Sequence, residues 1–162
     1  MAALPLQLVH TNDRLECGQK QKSGTWSGGL EGDCEGDQAL SKRILVVDDD
    51  SDIRQVLLDR LSSYGYVVET AINGREALDA LPRGAFDGLL LDIQMPEVDG
   101  FEVLRRSRSS YPQVPVVMIT ATMTREREAQ AIAAGARACL VKPLDPGQLK
   151  KALDQYFGPP EP

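Results

Sequence analysis

Two runs of apolar, mostly branched residues in this chain are each followed directly by acidic residues. The run ILVV at 44–47 precedes three aspartates at 48–50, and the run GLLL at 88–91 precedes Asp92. Short continuous apolar runs of this kind are typical of parallel strands that are buried on both faces. The carboxylates therefore follow the carboxyl ends of strands, at the edge where open α/β sheets bind ligands. Acids that are distant in the sequence can converge there on one metal ion.

Two further apolar runs carry polar residues to the same edge. The run VPVVMIT delivers Thr120, and the run ACLV delivers Lys142. Three acids, one hydroxyl and one ammonium on four strand ends form a set of groups suited to phosphoryl transfer.

From Ser41 onward, strand patterns alternate with helical patterns. The predicted strands cover 43–47, 66–71, 86–92, 115–121 and 137–141. The predicted helices cover 52–65, 73–81, 98–110, 124–136 and 145–157. Five βα units with short connections predict an α/β fold, a doubly wound five-stranded parallel sheet with helices on both faces. The flavodoxin-like order 2-1-3-4-5 would bring Asp48 and Asp49 next to Asp92.

Two of the predicted helices have further features. The first carries an apolar face with helical spacing, made of Ile53, Val56, Leu57, Leu61 and Tyr64. The fourth is expected to end with Gly135 at the C′ position.

Composition limits the class of protein. With 162 residues and 42% hydrophobic content, the chain suits one domain with a real core. A net charge of -6 argues against nucleic-acid binding through a broad basic surface. The sequence supports neither a membrane span nor a signal peptide, so we expect a cytoplasmic protein with no membrane partner. Cys17, Cys34 and Cys139 lack paired spacing, so we expect no disulfide framework and no zinc site.

The segments outside the alternating region differ in character. Residues 1–41 are rich in Gly, Ser, Gln and acids, and we expect a disordered tail that includes His10 and Trp26. Residues 158–162 read as a Pro-rich end or a linker stub. The chain would then be either a single-domain regulator or a piece of a longer protein.

Four motifs together resemble bacterial response-regulator receiver domains, including those of the chemotaxis-regulator type. They are ILVVDDDSDIR, LLLDIQMPEVDGFEVL, VVMITA and GARACLVKP, and the resemblance covers 42–157 in order and spacing. It implies the phosphoacceptor of a two-component phosphorelay, with a sensor histidine kinase or a phosphotransfer protein as partner. Such a domain promotes its own phosphorylation and dephosphorylation but is not otherwise an enzyme.

The resemblance also implies a role for each acid. Asp92 would be the phosphoacceptor, attacking the phosphorus of a phosphohistidine. Asp49 and Asp92 would bind Mg²⁺ directly, with Asp48 assisting through water and the backbone carbonyl of Gln94 completing the protein ligands. Oxygen donors with several retained waters are what Mg²⁺ prefers. By contrast, Asp50 reads as an acid at a helix N-terminus and not as a ligand.

The remaining family residues would act on the phosphoryl group and the backbone. Lys142 would pair with Asp92 and then with a phosphoryl oxygen, and Thr120 would hydrogen-bond another. A cis bond before Pro143 would aim the lysine into the site. Gly100 would allow a close approach at the start of the third helix.

The chain departs from the family pattern at Cys139, where members usually carry Tyr or Phe as a rotamer switch. A cysteine lacks the ring, so the movement of Thr120 must be transmitted differently or weakly. The predicted output is a change in protein contacts, including a receiver homodimer through 124–157. Side chains of the first helix such as Arg54 and Leu58 would select the kinase.

Two alternatives remain open from the sequence. One is a receiver fold used as an interaction module that is never phosphorylated. The other is a haloacid-dehalogenase-type phosphatase, because Asp48 and Asp50 form a D-x-D motif after the first strand. Phosphorylation of Asp48 in place of Asp92 would identify the phosphatase.

Overall fold

The structure, a computed structural model, describes residues 41–160. The predicted disordered tail, including His10 and Trp26, therefore lies outside the described residues except for Ser41. The same holds for the last two residues of the predicted Pro-rich end.

Within this region five strands form one parallel sheet in the order β2-β1-β3-β4-β5. The strands are β1 (Arg43–Val47), β2 (Val67–Ala71), β3 (Gly88–Asp92), β4 (Val116–Thr120) and β5 (Ala138–Val141). The predicted order is confirmed. Because β1 and β3 are neighbours, their carboxyl ends lie side by side.

A helix follows each strand. The helices are α1 (Ser51–Ser63), α2 (Gly74–Ala80), α3 (Gly100–Ser110), α4 (Arg125–Ala133) and α5 (Pro146–Tyr156). A polar side chain before each one accepts backbone N–H bonds from its first turn. These capping residues are Asp50, Asn73, Asp99, Thr124 and Asp145. Asp50 is thus a helix cap, as predicted, and Gly135 follows α4 with φ 104°, as expected for a C′ glycine.

The sheet separates two apolar clusters, so helices cover both of its faces. One cluster joins Leu45 and Val47 of β1 to α2, α3 and α4. The other joins Ile44 and Val46 of the same strand to α1 and α5. Alternate residues of one strand therefore serve opposite cores, which is why β1, β3 and β4 are apolar almost without interruption.

Burial does not follow the apolar pattern everywhere. Val56 belongs to the apolar face of α1, but it is 45% exposed, while Leu57 and Leu61 are buried. The apolar strand β5 is an edge strand that is partly exposed along its length, with Val141 44% exposed. Among the described residues only one strand, β4, pairs with it, so burial is less complete there than at the centre.

The C-terminal end of α5 lies at the amino-terminal edge of the sheet. Phe157 is buried and packs against Gly88, where a Cβ atom would collide with its ring. The Tyr66 hydroxyl donates a 2.8 Å hydrogen bond to the Gly158 carbonyl, and the next backbone N–H, of Val67, donates to the Lys42 carbonyl at 2.9 Å. Burial and the neighbouring Asp154 raise the pKa of Tyr66 to about 12. No helix within residues 41–160 is long and apolar enough to cross a membrane.

Candidate functional site

The predicted site residues follow neighbouring strands at the carboxyl edge of the sheet. Asp92 ends β3 and pairs in register with Ile119, so Thr120, the last residue of β4, lies one position further along. Thr120 in turn pairs with Val141 of β5, and its carbonyl accepts a 2.8 Å hydrogen bond from the N–H of Lys142. The strand register therefore brings together residues that are up to 94 positions apart, Asp48 and Lys142 included.

Three carboxylates meet at this edge. One oxygen from each of Asp48, Asp49 and Asp92 lies within 4.8 Å of the others. Asp48 and Asp92 are 0% and 3% exposed, whereas Asp49 is exposed to solvent. Burial raises the pKa of Asp92, the adjacent charge of Asp48 raises it further, and Lys142 acts in the opposite direction. The cluster is therefore costly to hold ionised without a cation.

Lys142 is the cation that this chain itself supplies. Its Nζ lies 2.7 Å from Oδ2 of Asp48 and 3.5 Å from Oδ2 of Asp92. Burial alone would lower the pKa of Lys142, but the carboxylates of Asp48 and Asp92 outweigh it, so the pKa is raised and the ammonium stays charged. The predicted pairing with Asp92 is present, but the closer contact is with Asp48.

The oxygen donors fit a divalent cation. Oδ2 of Asp48 is fully buried, and within residues 41–160 its one close polar partner is the Lys142 ammonium at 2.7 Å. The side chain of Asp49, by contrast, makes no hydrogen bond or ion pair with any described residue, so its carboxylate remains available. A group of hard carboxylate oxygens of this kind is what Mg²⁺ prefers. Three carboxylates and one ammonium also leave a net charge of -2 for a divalent ion to neutralise.

The loop after β3 passes close to Asp92. The backbone N–H of Gln94 donates to Oδ1 of Asp92 at 3.3 Å, and the N–H of Gly100 donates to the Ile93 carbonyl at 3.0 Å. A Cβ atom at Gly100 would collide with the Asp92 carbonyl oxygen and lie 2.8 Å from the Ile93 Cα. The expected close approach at Gly100 is thus confirmed, and the glycine lets α3 begin directly against the end of β3.

The Thr120 hydroxyl is buried and already has partners. It donates to the Thr122 carbonyl at 2.8 Å and accepts from the Thr122 N–H at 3.2 Å. Thr122 itself is exposed, and two residues later Thr124 caps α4. A short run of backbone therefore connects the Thr120 hydroxyl to the start of α4.

Two predictions from the sequence concern β5 and the loop that follows it. The predicted cis bond between Lys142 and Pro143 is present. Cys139, at the position where an aromatic ring was noted as missing, pairs with Met118 and packs partly buried against the α2, α3 and α4 side of the core. Burial, helped by the charge of Glu128, raises the pKa of the Cys139 thiol to about 11.

Two arginines of α1 form hydrogen bonds to loops of the site that the sequence did not indicate. Arg54 donates to the Asp48 carbonyl at 2.7 Å, and Arg60 donates to the Leu144 carbonyl, two residues after Lys142, at 3.0 Å. Both arginines are partly buried. Hydrogen bonds from a long side chain to a backbone carbonyl leave no pattern in a sequence, so nothing there could have identified them.

A 2-1-3-4-5 parallel sheet with acids, a threonine and a lysine along its carboxyl edge has the arrangement of a receiver domain of two-component signalling. Residues 44–154 match the family model described as the response regulator receiver domain, and the chain belongs to that family.

Known proteins of two kinds resemble this chain. It is 43% identical over 105 residues to the response regulator MprA of Mycobacterium bovis, covering 65% of this chain and 46% of that protein. It is 39% identical over 113 residues to the sensor histidine kinase RcsC of Salmonella typhi, covering 70% of this chain and 12% of that protein. The chain therefore spans less than half the length of these two relatives.

Two solved structures are similar to this chain over nearly the whole of their own length. The Vibrio cholerae chemotaxis protein CheY4 has a TM-score of 0.68 and 38% sequence identity, covering 72% of this chain and 98% of that one. A CheY-like receiver domain protein from Methanospirillum hungatei has a TM-score of 0.69 and 32% identity, covering 72% and 94%. Both the sequence and the fold of the described region are thus those of a receiver domain.

Proposed function

We propose that this chain is the phosphoacceptor of a two-component phosphorelay and that Asp92 receives the phosphoryl group. The observation that carries the proposal is the placement of Asp92, which is buried at the acidic cluster with Lys142 Nζ 3.5 Å away. An oxygen of Asp92 would attack the phosphorus of a phosphohistidine on a sensor histidine kinase or phosphotransfer protein. The new O–P bond forms as the N–P bond breaks, and the departing imidazole nitrogen takes up a proton.

The acidic cluster would hold Mg²⁺ for this transfer. Asp49 and Asp92 would bind it directly, Asp48 would assist through water, and the Gln94 backbone carbonyl would complete the protein ligands. When bound, the ion would neutralise the excess negative charge of the carboxylates and of the incoming phosphoryl group. Support comes from the oxygens of Asp48, Asp49 and Asp92, which already lie within 4.8 Å of one another.

Lys142 and Thr120 would bind the transferred group. The Lys142 ammonium lies between Asp48 and Asp92, so a phosphoryl group on Asp92 would come within its reach. For Thr120 to donate to a phosphoryl oxygen, its hydroxyl must first release the Thr122 carbonyl. This exchange of one hydrogen bond for another would move the loop before α4 and act as the switch.

The output would be a change in protein contacts. We propose the face formed by α4, β5 and α5 as the surface that changes, either for a receiver homodimer or for another protein. Its exposed side chains carry mixed charges, such as Arg125, Glu126 and Lys151, which suit salt-bridged pairing. The net charge of -6 argues against direct contact with nucleic acid.

Phosphorylation by a small donor tests the proposal. With Mg²⁺, acetyl phosphate or phosphoramidate should add one phosphoryl group to the full chain, as measured by intact mass. Asp92→Asn should abolish this addition, whereas Asp79→Asn, an exposed aspartate of α2, should leave it unchanged. Chelation of Mg²⁺ should prevent labelling of the wild-type chain.

Other results would identify the alternatives. Undiminished labelling of Asp92→Asn, or an acid-stable phosphoserine or phosphothreonine, would refute the assignment, and a phosphoryl group on Asp48 would indicate the phosphatase. Partner binding that is the same for wild type and Asp92→Asn, in the absence of any labelling, would indicate an interaction module.

A further inference from the structure

One charged side chain near the acidic cluster is turned toward the backbone of the site and not toward solvent. Arg54 is partly buried on the first turns of α1, and its Nη1 donates a 2.7 Å hydrogen bond to the carbonyl oxygen of Asp48. Hydrogen bonds from an ionised donor are shorter and about twice as strong as neutral ones. This hydrogen bond therefore links α1 to the loop that follows β1.

The other side of the same loop is also fastened. The Asp50 N–H donates to Oδ1 of Asp48 at 3.0 Å, and Asp50 caps α1 by accepting from the N–H groups of Asp52 and Ile53. In addition, the N–H of Arg54 donates to the Asp50 carbonyl at 3.1 Å. The residues on both sides of Asp49 are thus fixed by hydrogen bonds to α1.

Asp49 itself has no such support. Its side chain is exposed and bonds to no residue in 41–160, so its direction is set by the backbone that carries it. The Asp48 carbonyl belongs to the peptide group that joins Asp48 to Asp49. By holding that carbonyl, Arg54 fixes the plane of this peptide group and with it the starting direction of the Asp49 side chain.

We propose that Arg54 is a positioning residue for the metal site: it orients the peptide group before Asp49 so that this carboxylate meets those of Asp48 and Asp92. The proposal rests on the Mg²⁺ role given under the proposed function. The expectation that Arg54 helps to select the kinase stays a separate prediction.

Two effects of Arg54 on a bound cation have opposite signs. Its positive charge repels the cation and would weaken binding, whereas its hydrogen bond orders a ligand and would strengthen binding. The proposal holds that the second effect is larger. The sign of the change on removing the guanidinium therefore separates a positioning role from a purely electrostatic one.

Mg²⁺ affinity of the full chain, measured by titration calorimetry without any phosphoryl donor, provides the test. Arg54→Met keeps the length and apolar stem of the side chain, and its dissociation constant should rise about tenfold, as expected for one charge-assisted hydrogen bond. Arg54→Lys retains a donor and should bind with an affinity between wild type and Arg54→Met. At saturating Mg²⁺, labelling of Arg54→Met by acetyl phosphate should recover.

Arg108→Met is the matched control. Arg108 of α3 is also partly buried and also donates to loop carbonyls, those of Pro112 and Val114, but that loop leads into the amino end of β4 and carries no residue of the site. Its affinity for Mg²⁺ should stay within about twofold of wild type. Circular dichroism at the titration temperature confirms that each variant is folded. If Arg54→Met is not folded, the Mg²⁺ affinity of Arg54→Lys tests the proposal in its place.

The outcomes separate this inference from the proposed function. Unchanged or tighter Mg²⁺ binding by Arg54→Met, or equal weakening in Arg108→Met, would overturn the positioning role while the wild type still binds the ion. If the wild-type chain bound no Mg²⁺ at all, the metal site itself would be refuted, and the role of Arg54 with it.

Discussion

Replacing Gly100 by alanine should destabilise the domain, because three backbone atoms occupy the space of the new methyl group. The Cβ would collide with the Asp92 carbonyl oxygen and would lie 2.8 Å from Ile93 Cα and 3.0 Å from the Asp92 carbonyl carbon. Backbone atoms at the end of a buried strand cannot rotate away as a flexible side chain can. Either α3 must move outward or the end of β3 must shift, and Asp92 lies at that end.

The size of the effect follows from two opposing contributions. Forcing an extra methyl group into a packed site costs about 1–3 kcal/mol, and a backbone collision belongs at the upper end of that range. Alanine returns about 0.5–1 kcal/mol relative to glycine inside a helix, and less at the first helical position. We therefore expect a net loss of about 2 kcal/mol, which lowers Tm by about 8 °C in a domain of this size.

Urea unfolding followed by far-UV circular dichroism measures this loss. Gly147→Ala in the first turn of α5 is the matched control, because there the new Cβ would meet only the flexible Asp145 side chain, with Oδ1 at 3.2 Å. It should be neutral or slightly stabilising. A free energy of unfolding for Gly100→Ala within about 0.5 kcal/mol of wild type would show that the β3 to α3 junction yields easily, and would refute the reasoning.

Three other expectations concern the loops around Asp92 and the thiol of Cys139. Substituting Gln94 or Thr122, the second residue after Asp92 and Thr120 respectively, should change the phosphoryl half-life severalfold, about 1 kcal/mol in barrier, without preventing labelling; unchanged half-lives in both variants would place control of water access elsewhere. With a pKa of about 11, Cys139 should react slowly with disulfide reagents at pH 8, and the rate should rise about tenfold per pH unit up to pH 10. In a chain whose other cysteines are replaced by serine, equal rates for native and unfolded protein would contradict this. Finally, beryllofluoride should strengthen self-association or partner binding only modestly in sedimentation, and Cys139→Tyr should sharpen the response; an unchanged response would mean that the missing ring does not limit coupling.

The sheet could be predicted because burial on both faces restricts which residue types its central strands can contain. A strand buried on both faces is apolar at nearly every position, so β1, β3 and β4 are visible as continuous runs in the sequence. Once their order is fixed, the polar residues that follow them must meet at one edge. This is why the cluster of Asp48, Asp49 and Asp92 could be expected from the sequence alone.

The details that could not be predicted depend on neighbours that the sequence does not reveal. Helical periodicity gives the direction of an apolar face but not the width of its buried part, so Val56 belongs to that face and is still 45% exposed. The strand β5 is as apolar as a central strand, although within residues 41–160 only one other strand pairs with it. The Lys142 ammonium lies nearer to Asp48 than to Asp92. This difference depends on where the loop places the lysine, which the residue types alone do not determine.

The amino-terminal edge of the sheet brings the first and last parts of the described domain together. The Lys42 and Gly158 carbonyls are bonded to consecutive residues, Val67 and Tyr66, and a Cβ at Gly158 would lie 3.9 Å from Lys42 Cε. A short peptide could therefore join 158 to 42 with little rearrangement, and new ends could be opened in the exposed turn at 82–85. Such a circularly permuted chain would begin with β3 and end with α2, yet every residue of the proposed phosphorylation site would keep its neighbours. The arrangement of the site is thus a property of the strand order in space and does not depend on where along the sequence the chain begins.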